Sequence, residues 1–118
     1  MTPGPQIDIL VEKLLALTQE GKVDWRDTAD EDTFLAAFPK YVVTVRKSED
    51  SFDSYGSKSE DSFDIRVADE SGRTLEEATG GLNPRLRQNL RLLHEMARRR
   101  ALHVDEALSD LLSSLSSI

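Results

Sequence analysis

Two histidines, no cysteine and a single tryptophan narrow the chemistry open to this chain before any fold is considered. His94 and His103 stand nine positions apart in one helix-like stretch. At 1.5 Å per residue they lie about 13 Å apart along a helical axis, too far to share a metal ion. Neither is tied to a nucleophile by a recognisable motif, so both read as surface or boundary residues rather than general bases. Without cysteine, disulfide scaffolds, cysteine-ligated zinc and thiol catalysis are excluded. The acidic runs DTADED and SEDSFD have the composition of calcium loops but not their alternating ligands, turn glycine and terminal glutamate, and they read as solvated turns. Gly80-Gly81 precedes a helix as phosphate loops do, yet no Lys-Ser/Thr pair follows, leaving a strand-to-helix joint. Ser48, Ser51, Ser59 and Ser62 sit among acidic residues as kinase substrates can. No catalytic, cofactor-binding or metal-binding residue emerges, and the chain reads as a non-enzyme.

What remains is binding chemistry, and it concentrates near the C-terminal end. Arg87, Arg91 and Arg98 fall on one flank of a predicted helix with His94 beside them, while Arg85 and Arg99 fall on the other. Such a strip suits an acidic partner or a phosphate backbone, or it pairs with the protein's own acidic sheet. Farther along, Leu108, Leu111, Leu112 and Leu115 make an apolar end that a partner or a second copy can cover. The formal net charge of −7 is unevenly placed: residues 1–81 carry 9 Lys/Arg against 18 Asp/Glu, and residues 82–118 carry 6 against 4. Overall acidity disfavours nucleic acid as a partner, although an arginine patch still acts at short range.

These residues need elements to position them. At 118 residues the chain is expected to form a single domain spanning 1–118. MTPGPQIDILVEKLL has neither a basic start nor a cleavage site, and no apolar run approaches membrane-spanning length, so a cytoplasmic location away from membranes is expected. Ile7, Leu10, Val11, Leu14 and Leu17 recur at helical spacing before Gly21, predicting a helix over 6–20. Val23 and Trp25 then alternate with polar residues in a short strand or extended lead-in, with Trp25 as a core anchor.

Four strands follow at Thr33–Phe38, Tyr41–Lys47, Ser62–Ala68 and Thr74–Thr79, and their short connections favour an antiparallel meander. One face, with Tyr41, Val43, Val45, Phe63, Ile65 and Val67, reads as core, and the other as mostly wet. Asn83 and Pro84 start a helix whose apolar stripe, Leu86, Leu90, Leu93, Ala97, Ala101, Val104, Leu108, Leu111 and Leu115, keeps phase through His103. This favours one helix over 84–115, against a competing break in which Asp105 caps a second helix. The expected fold is therefore α+β: an N-terminal helix, a four-strand antiparallel meander and a long C-terminal helix, continuous or broken near His103.

The string KSEDSFD occurs twice, at 47–53 and 58–64, between the second and third of these strands. Removing 47–57 leaves a short hairpin, so residues 47–61 read as an expandable loop, remote from any chemistry.

The stretch ARRRALHVDEALSDLLSSL resembles the second half of ribbon-helix-helix repressors and related antitoxins, in which a basic helix, a turn and a VDEAL-type helix build a DNA-binding dimer. It differs in having Ala101-Leu102 where a turn glycine is expected, and no clear basic strand precedes it. Over its whole length the chain, from the leucine-rich helix through GKVDWRDT, FPKYVVTVRKS and DESGR, is similar to small uncharacterised bacterial proteins, which implies an α+β module and supplies no activity. Two functions are expected in turn: an interaction or regulatory module working through the C-terminal helix, or a DNA-binding regulator of the antitoxin type using Arg87, Arg91 and Arg98.

Overall fold

A computed structural model of the chain describes residues 5–48, 62–79 and 83–118. The helical spacing of Ile7, Val11 and Leu14 becomes the buried face of α1 (Pro5–Gln19), flanked by half-buried Leu10 and Leu17. Gly21 ends it with a left-handed φ of 75°. The Gly21 N–H donates to the Thr18 carbonyl at 3.0 Å and the Lys22 N–H to the Leu17 carbonyl at 2.9 Å, the paired bonds of a Schellman cap.

The sheet is an antiparallel meander in chain order: β1 (Trp25–Asp27), β2 (Thr33–Ala37), β3 (Tyr41–Ser48), β4 (Ser62–Asp69) and β5 (Thr74–Thr79). The lead-in at Trp25 is thus a fifth strand beside the four expected. Phe38 falls outside β2 because it starts the turn through Pro39 and Lys40, its N–H donating to the Tyr41 carbonyl at 2.8 Å. At the β4–β5 turn Gly72 takes φ 90°, and the Asp69 carboxylate accepts from the Ser71 hydroxyl and from the N–H groups of Ser71 and Arg73. These bonds, led by the Ser71 hydroxyl, hold the Asp69 carboxyl below its ordinary range.

The core face matches the alternation. Val43, Val45, Phe63 and Ile65 are buried, whereas Val67 is half-buried and Tyr41 is exposed at the sheet's end. The opposite face is wet around a cross-strand Arg46–Asp64 ion pair at 2.8 Å, although Ala68, beside a register shift between Val67 and Ala68, is buried there. Helix α2 (Pro84–Ala101) lies across β1 to β4, and α1 packs against α2. Asn83 caps α2 as expected, its Oδ1 accepting from the Leu86 N–H at 3.2 Å, with Pro84 in the first turn.

Of the two forms expected for the C-terminal helix, the one broken near His103 is found and the favoured continuous one is not. Residues 102 and 103 separate α2 from α3 (Val104–Ser116), with His103 in the left-handed region at φ 53°, ψ 46°. Each terminus meets opposite charge: Arg98, Arg99 and Arg100 crowd the last turn of α2, and Asp105 and Glu106 fill the first turn of α3. Both arrangements favour the helix dipoles of two helices over one. Asp105 does not cap α3; its carboxylate instead pairs with the Arg99 guanidinium across the break.

Residues 49–61, most of the expected expandable loop, and the Gly80-Gly81 joint lie outside the described residues. The β3–β4 register nevertheless bears on the duplication, because Lys47 pairs with Phe63 and Ser48 with Ser62. Deleting 47–57 puts Lys58 and Ser59 where Lys47 and Ser48 stood and leaves Glu60-Asp61 as a two-residue turn before Ser62. This deletion is expected to leave the fold intact and to change stability by only about 0.5 kcal/mol, the scale of loop-closure entropy. A thermal melt checks it, and loss of the cooperative transition would show the loop to be structural.

Candidate interaction surface

Along α2 the apolar stripe is fully used: Leu86, Leu90, Leu93 and Ala97 are at most 2% exposed, and Ala101 packs half-buried at the edge of the same core. Beyond the break, the stripe loses its cover. Val104 is half-buried, and no residue of α3 is buried. Leu108, Leu111, Leu112 and Leu115 are 48%, 54%, 65% and 55% exposed. The main packing neighbour of α3 is α2 rather than the sheet. The leucine end named from sequence is therefore a bare apolar helix face. Leu102 and Ile118, which sequence reasoning left out, are exposed as well.

The arginine strip divides differently. Arg91 is exposed, while Arg87 and Arg98 are half-buried, and Arg98 pairs with Glu95 at 3.6 Å. The flanking arginines are engaged too: Arg85 with Glu12 of α1, and Arg99 with Asp105. Arg100 reaches back to α1, donating from Nη2 to the Thr18 carbonyl at 3.3 Å, where a cation complements the helix C-terminus. The strip and the leucine face thus occupy two helices on either side of the break, joined by Arg99–Asp105.

His94 corrects the expectation of a surface or boundary residue. It is buried at 3% exposure, with its ring centroid 5.3 Å from Phe34 and 5.5 Å from Phe63. Its Nε2 lies 2.8 Å from the Asp32 carbonyl, which also accepts from the Lys47 N–H at 3.1 Å. A carbonyl only accepts, so Nε2 carries a proton and donates it to Asp32. His94 thereby ties α2 to the residue before β2, where Asp32 adopts φ 60°. The signal was in the spacing, since a residue four after Leu90 and one after Leu93 lies on the buried face.

Burial holds the His94 pKa below its ordinary 6.5, opposed by the hydrogen bond to Asp32 and by the charges of Asp32 and Glu95, and reinforced by Lys47. An unfolded chain takes up this proton more readily than the folded one, so stability is full above about 6.5 and declines as the pH falls below it. Melting temperatures are expected to drop from pH 7 toward pH 5, with a shallower slope in His94→Leu. Equal slopes in both proteins would remove His94 from this account.

Trp25 is the anchor expected from its sequence context. It is 3% exposed, and its indole Nε1 donates to the Thr18 hydroxyl at 3.0 Å, fastening β1 to α1. In the acidic 27–32 segment, the Thr28 hydroxyl donates toward the Asp30 and Thr33 carbonyls at 3.0 Å, an ordinary turn. Among the described residues no three His, Asp or Glu side chains gather as a metal site, and no helix is long and apolar enough to cross a membrane. No family model, curated protein or solved structure matches the chain.

Proposed function

We propose that the protein is a non-enzymatic interaction module of the cytoplasm, in which the helix–sheet body supports α3 and α3 offers its leucine face to a protein partner. The observation that carries this reading is the 13-residue helix with no buried residue and four leucines about half exposed or more on one side. A short helix draws its stability mainly from packing, and a bare apolar face of this kind usually marks an interface. Photo-cross-linking in the native host tests it. A photoreactive residue at Leu112 is expected to give a discrete protein adduct, whereas the same residue at exposed Gln88 of α2 gives none. No adduct from position 112, or the same adduct from both positions, would contradict the reading.

A second reading, a DNA-binding regulator using Arg87, Arg91 and Arg98, is favoured by the break at His103, which turns the expected single helix into a helix pair. Against it stand the overall acidity and the Arg98–Glu95 and Arg99–Asp105 pairs. Several phosphate contacts make affinity fall steeply with salt. Duplex DNA titrated at low and then rising salt is expected to bind if this reading holds, and absence of binding at low salt dismisses it.

A further inference from the structure

We propose that the α2–α3 joint is a two-state hinge, in which the broken form exchanges with one straight helix over 84–116 and so re-aims the leucine face. The hinge is a property of the chain's own backbone, and it stands whatever meets that face.

The backbone does little to hold the break. Between Ala101 and Val104 only Leu102, at φ −94° and ψ 1°, and His103, at φ 53° and ψ 46°, leave the α-helical region. His103 is not glycine, and a side chain in the left-handed region meets a steric cost that a straight helix removes. No glycine or proline occurs after Pro84 to enforce a stop. No side chain caps the first turn of α3. Ala97, Ala101, Val104, Leu108, Leu111 and Leu115 advance by steps of 4, 3, 4, 3 and 4, the period of one helix carried through the break. A chain that is only ever broken has no use for that phase.

What supports the broken form is charge. Arg99 pairs with Asp105 across the joint, in an ion pair open to solvent. In a straight helix these residues stand about 9 Å apart along the axis and on different sides, so the pair belongs to the broken form alone. Arg98 to Arg100 at the end of α2 and Asp105-Glu106 at the start of α3 add dipole contacts that a continuous helix lacks. Exposed ion pairs and helix-end charges are each weak, of the same order as the backbone cost at His103. Opposed contributions of similar size populate two states rather than one.

Double electron–electron resonance on the full chain is the test. Because the chain has no cysteine, Q88C and S113C place two nitroxide labels at exposed positions of α2 and α3. A straight helix sets these positions about 37 Å apart along its axis, and the broken form brings them closer. With unlabelled chain in excess, so that only distances within one molecule are read, both populations are expected. His103→Gly is expected to raise the shorter one about fivefold relative to the longer, since glycine takes the left-handed conformation without steric cost. His103→Ala combined with Asp105→Asn is expected to raise the longer one about fivefold, by favouring helix at 103 and removing the ion pair. Rising salt shifts the parent chain the same way, by screening the charges that hold the break. Native Trp25 emission in each variant keeps a distance change from being read as unfolding. A single short distance that neither the double variant nor salt alters would overturn the proposal by showing a rigid break. A single distance near 37 Å in the parent chain would overturn it by showing no break at all.

Discussion

Trp25→Ala is expected to lose about 3 to 5 kcal/mol of stability, a large share of the about 5 to 15 kcal/mol that ordinarily holds a small protein folded. The ring is 3% exposed within the cluster that joins α1, α2 and the sheet, and truncation leaves a cavity on strand β1, which is too short to adjust around it. It also strands the buried Thr18 hydroxyl, whose partner is the indole N–H. Trp25→Phe separates the two contributions, since it keeps most of the apolar volume and removes the hydrogen bond, for a loss nearer 1 kcal/mol. Urea unfolding followed by circular dichroism reads both. An Ala variant as stable as the wild type would take Trp25 out of the core and make it a contact residue.

The second large effect compares two leucines on one stripe. Leu93 has 0% exposure and Leu111 has 54%. Leu93→Ala is expected to cost about 2 to 5 kcal/mol, as for other buried leucines. Leu111→Ala, measured at concentrations where the chain is monomeric, is expected to fall within about 0.5 kcal/mol of zero, the range of surface substitutions. Equal costs would mean that α3 folds back onto the body and that the stripe serves one core.

Much of this arrangement is legible in the sequence because it rests on local rules. Gly21 and Asn83 mark helix ends through backbone geometry and a short side chain, and both do what their types require. Alternation in Tyr41–Ser48 and Ser62–Asp69 separates the faces, and Trp25 reads as an anchor from its setting. The helix break was harder to read because phase alone cannot show continuity: Ala101, Val104 and Leu108 keep helical steps whether or not the backbone turns at His103. The better signal was charge, with Arg98 to Arg100 suiting a helix end and Asp105-Glu106 suiting a helix start.

His94 shows the other limit. Its place on the buried face follows from spacing, but its tolerance of burial depends on the Asp32 carbonyl, 62 positions away in the chain. No local pattern reveals such a partner. Of the candidate surface, the four leucines were legible as surplus apolar length. The arginines could be named but not assigned, because Glu12 reaches Arg85 only through the fold and Asp105 reaches Arg99 only across the helix break, whereas Glu95 meets Arg98 at local helical spacing.

Amide hydrogen exchange across Val104–Ser116 tests the central claim most directly, because it reads whether α3 is covered in the working protein. In the dilute, isolated protein α3 is expected to exchange quickly, as a short helix without a packed face does. The amides of β3, β4 and α2 are expected to exchange at least about tenfold more slowly. Exchange in α3 as slow as in the core of β3, β4 and α2 would show the helix to be held by its own chain and would contradict the claim.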